Sequence, residues 1–112
     1  GDIGKLFPNN SQTHNMSGLS MLNSIKNKLD SLLPFEGVNH FSIQNIDATI
    51  ILQTPKLSKH IKLMEQNICK SLGLQDGNVS IKATTTDYLG FVGKEEGIAC
   101  LAICLIYKRE KT

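Results

Sequence analysis

The stretch IACLAICLIY, residues 98–107, limits the fold of this chain more than any other. It is apolar at nearly every position, so as a strand it presents apolar side chains on both faces and needs cover on both. The whole chain has 112 residues, enough for one domain with one core but near the lower limit for a two-layer fold standing alone. Such a strand asks for more cover than one helix layer supplies, and a neighbouring copy of the same sheet is the economical source of the rest.

Upstream, residues 8–18 (PNNSQTHNMSG) are rich in Asn and Ser with no apolar period, and they read as a loop whose Ser17 is placed to cap a helix. Leu22, Ile25, Leu29, Leu32 and Leu33 recur at spacings of three and four, which predicts a helix from Leu19 that Pro34 ends. Phe41 to Leu52 turns β-branched and apolar at both parities toward its end, as a strand buried on both faces should be, and Pro55 stops it. Leu57, Ile61, Met64, Ile68 and Leu72 mark a second helix closed by Gly73. After a turn at Asp76 and Gly77, Val79, Ile81 and Ala83 alternate with Asn78, Ser80 and Lys82, predicting a strand with one polar face. This order predicts an α+β two-layer sandwich: a single domain over 1–112, with a mixed sheet, helices on one face, and the other face against a symmetry mate.

Composition removes several functions. A formal charge of +2, scattered basic residues and 5% aromatics give little support to nucleic-acid binding. No apolar run reaches the roughly 18 residues of a membrane helix, and the start does not read as a signal peptide. Cys69, Cys100 and Cys104 contain no CxxC pair and read as buried thiols in a reducing compartment. A soluble, intracellular protein is expected. GDIGKLFPNN reads as the middle of a domain, so further sequence upstream is expected as well.

The chemistry gathers in three stretches. In KATTTDYLGFVGKEEGIA, residues 82–99, Thr84, Thr85, Thr86 and Asp87 put hydroxyl donors and a carboxylate at a strand end, a set suited to phosphate oxygens and a hard bridging cation. Threonines there also serve as plain β-formers, and Asp87 as a turn or helix cap. TPKLS, residues 54–58, ends the other strand and opens a helix; its backbone N–H groups suit an anion or a base edge and Lys56 suits a phosphate. An ordinary strand-to-helix turn begun by Pro55 reads equally well there. GDIGKLFP adds Asp2 and the amides of a glycine-spaced turn.

In order and spacing these three stretches resemble the 2-C-methyl-D-erythritol 2,4-cyclodiphosphate synthases of the non-mevalonate isoprenoid pathway, over essentially the whole chain. The resemblance implies a homotrimer with active sites between subunits. It implies that Asp2, Ile3 and Gly4 contact substrate across the interface, with the cytidine ribose reaching the Asp2 carboxylate. Phe7, Pro8, Asn9, Asn10 and Ser11 would flank the methylerythritol phosphate end. Leu52, Gln53 and Thr54, with Pro55, Lys56, Leu57 and Ser58, would form the cytosine pocket. Thr84 to Asp87 would hold the diphosphate, Thr85 stabilising the transition state and Asp87 ligating Mg or Mn. Phe91 and Lys94 would meet substrate or an isoprenoid-like ligand near the threefold axis. The small-molecule substrate implied is a cytidine diphosphate methylerythritol phosphate, cyclised with loss of CMP, in a bacterial cytoplasm or a plastid-type organelle.

The resemblance also implies a catalytic zinc whose ligands stand upstream of position 1, so residues 1–112 by themselves are expected to be inactive and to hold no stoichiometric zinc. His14, His40 and His60 lack metal-ligand spacing and read as ordinary residues. Asn9 stands where the family has an acid, Lys94 where arginine is common, and Asp87 where glutamate is more usual. Lys94 lacks the planar fork that grips a diphosphate with two parallel bonds. Two other classes remain at this point: a non-catalytic, trimeric cytidine-nucleotide-binding module, and a purely structural trimer with no use for the TTTD block.

Overall fold

The computed structural model describes residues 5, 7, 8, 10, 16–30 and 38–110, the side chains of residues 30, 38–40, 109 and 110 excepted. The elements run α1 (Gly18–Asp30), β1 (Val38–Ile51), α2 (Ile61–Leu72), β2 (Val79–Thr84), α3 (Gly90–Gly93) and β3 (Ala99–Glu110). This is the predicted order with one added helical turn, α3. Ser17 caps α1 as its position predicts, its Oγ accepting the Ser20 N–H at 3.1 Å. Pro34, expected to end that helix, lies outside the described residues, as does most of the 8–18 loop. Gly73 closes α2 in the left-handed region, φ 70°, where a residue without Cβ meets no steric cost.

One expectation about α2 needs correcting. TPKLS does not open it, and Leu57 is not on its stripe. The Leu57 carbonyl accepts the His60 N–H at 2.8 Å, a tight turn, and the helical ladder begins only with Met64 N–H donating to the His60 carbonyl at 3.0 Å. Residues 54–58 form a loop of their own.

The sheet has the order β2-β1-β3. β1 pairs with β2 in parallel, from Ile46 opposite Val79 to Ile51 opposite Thr84. It pairs with β3 antiparallel, from Val38 opposite Glu110 to Ile51 opposite Ala99. The sheet is therefore mixed, as predicted, with both long strands extending past the predicted Phe41 and Tyr107. The register shifts between Ile43 and Asn45: Ile43 faces Ile106 while Asn45 faces Leu105. The extra residue of such a bulge switches parity. Ile43 before it and Ile46, Ala48 and Ile50 after it thus share one face with Cys100, Ala102, Cys104 and Ile106.

That face carries the core. Cys69, Val79 and Ile81 are its buried centre, with Ile46, Ala48, Ile50, Ile61, Met64 and Ile68 packed around them. α2 crosses from β1 to β2 over this face, and α1 lies beside α2, the Ser71 hydroxyl donating to the Leu19 carbonyl at 3.4 Å. β2 is an edge strand whose Ile81 N–H is taken by Glu65 Oε2 at 2.8 Å, so α2 satisfies a backbone donor that the ladder leaves free. Among the described residues no helix is long and apolar enough to cross a membrane.

Beyond β1 the helices among the described residues give out, which corrects one further expectation, that of the cysteines. β3 lies at the other edge and is exposed from Leu101 to Lys108, on both parities. Cys100 and Cys104, read as buried, are exposed free thiols, and only Cys69 is buried. Partial burial on the sheet still raises the Cys104 thiol above its ordinary pKa. The second face of β1, the one expected to meet a symmetry mate, is open in the single chain, with Asp47 exposed and Thr49 and Ile51 half-buried. An ion pair between Asp47 and Lys82 lies on that open face.

Ile81 is 6% exposed at the centre of the core. Ile81→Ala is expected to lower unfolding stability by about 3 kcal/mol, the transfer term plus an unfilled cavity. Denaturant titration should show a lower midpoint at unchanged slope.

Candidate functional site

Parallel pairing sets the C-terminal ends of β1 and β2 side by side, and one more bond beyond the strands, Leu52 N–H to the Thr84 carbonyl at 3.0 Å, holds the departing chains together. In open sheets with parallel strands, ligands bind in the crevice beyond these carboxyl ends. A cleft of about 140 Å³ opens there. Leu52, Gln53, Pro55, Lys56, Leu57 and Ser58 line it from the β1 side, Ile61 from the start of α2, and Ala83, Thr84 and Thr85 from β2. The structure thus brings the proposed base-reading loop and the first two threonines into one cavity.

The threonine block continues as a tight turn. The Leu89 N–H returns to the Thr86 carbonyl at 3.1 Å, and the two central residues, Asp87 and Tyr88, stand at φ 53° and 67°. Two successive left-handed residues are the signature of a type I′ turn; Asp tolerates the geometry, while for Tyr it is uncommon. Thr85 Oγ1 accepts the Asp87 N–H at 3.2 Å and donates loosely to Asp87 Oδ1 at 3.4 Å. The Thr86 hydroxyl donates to the Leu89 carbonyl at 2.6 Å, so its proton is committed to the turn. Thr84, whose hydroxyl donates loosely to the Thr85 carbonyl at 3.4 Å, and Thr85 both line the cleft, so either hydroxyl is readily redirected toward a ligand there.

Two contacts that sequence reasoning missed fasten this turn to the other loop. The buried Gln53 accepts the Tyr88 N–H on Oε1 at 3.0 Å. Thr54 Oγ1 donates to Glu95 Oε1 at 2.9 Å. Both are long-range, and no motif spacing could have signalled them. Behind the turn, α3 packs so closely that a Cβ on Gly93 would stand 2.2 Å from the Tyr88 carbonyl carbon, and 2.6 Å from its Cα. Glycine is the residue that fits there, for close approach of two backbones.

The other predicted site residues are more dispersed. Phe91 on α3 is exposed and its ring lies over Gly97, where a Cβ would meet it at 2.9 Å. Lys94 is exposed after α3. Phe7 is half-buried, Pro8 and Asn10 are exposed, and Asp2, Ile3, Gly4, Asn9 and Ser11 lie outside the described residues. Among the described residues no group of three or more His, Cys, Asp or Glu side chains could hold a metal ion. His60 is exposed at the start of α2; His14 and the His40 side chain lie outside the described residues. Asp87 offers a single exposed carboxylate at the tip of the turn. That suits a hard cation which keeps waters and takes its remaining ligands from a phosphorylated substrate.

Known proteins resemble this chain in sequence and in fold. The chain is 48% identical over 107 residues to a 2-C-methyl-D-erythritol 2,4-cyclodiphosphate synthase of Clostridium botulinum (strain Okra / Type B1), covering 95% of this chain and 64% of that protein. The synthase of that name from Marinobacter nauticus is 43% identical over 106 residues, again with 95% of this chain and 63% of the relative covered. The chain thus spans slightly less than two thirds of the length of these curated relatives. Among solved structures, the bifunctional IspDF from Campylobacter jejuni superposes with a TM-score of 0.84 at 32% identity, over 99% of this chain and 28% of that one. IspF of Plasmodium falciparum in a CDP complex gives 0.73 at 28% identity, over 99% and 61%. A family model, that of the YgbB family, matches residues 1–107, and the chain belongs to that family.

Proposed function

We propose that this chain supplies the cytidine and diphosphate end of a cyclodiphosphate synthase acting in isoprenoid precursor biosynthesis. The observation that carries this reading is one cleft at the carboxyl ends of β1 and β2, lined on one side by Leu52, Gln53 and residues 55–58 and on the other by Thr84 and Thr85. The relatives' shared name and the CDP bound to a structural neighbour support the same ligand here. The synthase names also favour catalysis over a binding module.

In the proposed reaction the 2-phosphate of 4-diphosphocytidyl-2-C-methyl-D-erythritol 2-phosphate attacks the β-phosphorus in line. A new P–O bond closes the ring, the bond from the β-phosphorus to the bridging oxygen breaks, and CMP leaves with that oxygen. Nucleophile and electrophile belong to one molecule, so the protein has to position them and neutralise charge. Cytosine sits against the Leu52–Ser58 loop and the Asp2 carboxylate takes the ribose hydroxyls. Ile3 and Gly4, beside Asp2, contact the substrate across the subunit interface, and the Phe7–Ser11 segment flanks the methylerythritol phosphate end. Thr85 exchanges its loose contact to Asp87 for a phosphoryl oxygen and donates to the charge that develops in transfer. Phe91 and Lys94 close the far side.

Divalent metal, when bound, supplies charge neutralisation between two phosphates that otherwise repel. Asp87 is the residue we assign to Mg or Mn, as a hard oxygen ligand beside the diphosphate. We place the zinc ligands outside residues 1–112, because three converging protein ligands are the usual minimum for a catalytic zinc. The bacterial origin of the curated relatives supports a cytoplasmic location.

A homotrimer completes the reading. Leu101, Ile103 and Leu105 are 70%, 72% and 57% exposed on the sheet face away from the helices. Contiguous apolar surface of this kind marks an association site, and burying three or four such side chains per copy is worth on the order of 5 to 10 kcal/mol before entropy costs. Ile103→Glu is expected to convert trimers to monomers in light scattering; unchanged mass would reject this face as the interface.

Thr85→Ala in the full-length enzyme is expected to lower kcat by about a hundredfold with CMP affinity held within a few-fold. Equal losses in turnover and binding would assign Thr85 to ground-state binding instead. If the unsubstituted enzyme fails to form the cyclodiphosphate, the reading itself is wrong.

A further inference from the structure

We propose that Gln53 and Glu95 are positioning residues, a clamp that ties the 52–58 loop to the 84–97 loop and sets the width of the cleft between them. The consequence for ligand rests on the nucleotide reading above; the clamp itself does not. Gln53 is 6% exposed, and its side-chain oxygen is spent on the Tyr88 N–H at 3.0 Å. Its neighbour Thr54 is held by Glu95 at 2.9 Å. Adjacent residues of one loop are thereby tied to the two ends of the other, at positions 88 and 95.

The backbone indicates that this arrangement is built. Tyr88 and Glu95 stand at φ 67° and 63°, where any residue with a Cβ is disfavoured relative to glycine. The segment between them is closely packed: Gly93 sits against the Tyr88 backbone with no space for a side chain. Residue 95 continues that segment through its N–H, which donates to the Val92 carbonyl at 3.0 Å. Backbone preference alone would favour glycine at 95. What a glutamate adds there is its carboxylate, and that carboxylate reaches Thr54. Losing the Glu95 carboxylate leaves the groups lining the cleft in place but frees its two lips, so ligand must then order them on binding, and affinity falls by that ordering cost.

Glu95→Gly in the full-length protein separates this role from a merely structural one, because it removes the clamp while relieving the left-handed backbone. Expected are a Tm equal to or above wild type, faster amide exchange over residues 52–58 in the free protein, and CMP binding weakened about five- to tenfold. Glu95→Gln, which keeps an acceptor oxygen, should bind as wild type does. Thr54→Val should weaken CMP to the same degree, and the Thr54→Val/Glu95→Gly double variant no further. On the other arm, Gln53→Met should weaken CMP as well. Unchanged exchange and unchanged affinity in Glu95→Gly would overturn the proposal. So would a lowered Tm with affinity lost in proportion. A wild-type protein that binds no CMP would overturn the nucleotide reading alone, since the exchange comparison reports the clamp without ligand.

Discussion

The parallel contact of β1 with β2 is the interaction on which the rest depends. Six residues of each strand are matched, Ile46 to Ile51 against Val79 to Thr84. Their shared direction forces α2 to cross back over one face and leaves both strands ending at one edge of the sheet. The 52–58 loop and the threonine block both leave from that edge. Had the two strands been antiparallel, Leu52 and Thr84 would lie at opposite ends of the sheet, and no cleft would join them.

The core serves this pairing directly. Val79 and Ile81 of β2 and Cys69 of α2 are its buried centre, and the β1 residues Ile46, Ala48 and Ile50 complete it. Stability is therefore concentrated under the strands that position the cleft. The cleft's lips depend on side-chain and loop bonds instead: Gln53 to Tyr88, Thr54 to Glu95, Thr85 to Asp87. A rigid base with lips held by a few polar bonds is how loop-borne sites are commonly built.

The opposite edge is organised by a different physics. β3 has almost no cover from the described residues, and its exposed Leu101, Ile103 and Leu105 lie on the face that also carries the Asp47–Lys82 ion pair. An edge strand with unpaired backbone groups and apolar sides is a liability unless something covers it. The proposed trimer turns that liability into the scaffold that would bring a second copy toward the site. The apolar run is then a requirement of assembly and not of the single chain's core.

Periodicity alone determined much of this. The spacing Ile61, Met64, Ile68, Leu72 and the stop at Gly73 describe α2 because a helix stripe is a local property of 3.6 residues per turn. The alternation of Val79 and Ile81 with Ser80 and Lys82 describes β2 for the same reason, and Ser17 needs only the next helical turn to act as a cap. The TTTD block and the 54–58 loop could each be read as chemistry or as an ordinary turn, and the resemblance to the synthase family decided between the two. Tertiary structure decided what local pattern cannot carry. It placed Cys100 and Cys104 in the open, since an apolar strand reads the same whether a helix, a neighbour or nothing covers it. It started α2 at Ile61 rather than at Pro55, through a turn closed by the Leu57 carbonyl. It gave Gln53 and Glu95 their partners, 35 and 41 residues away in the chain, distances over which only the folded sheet brings side chains within a hydrogen bond.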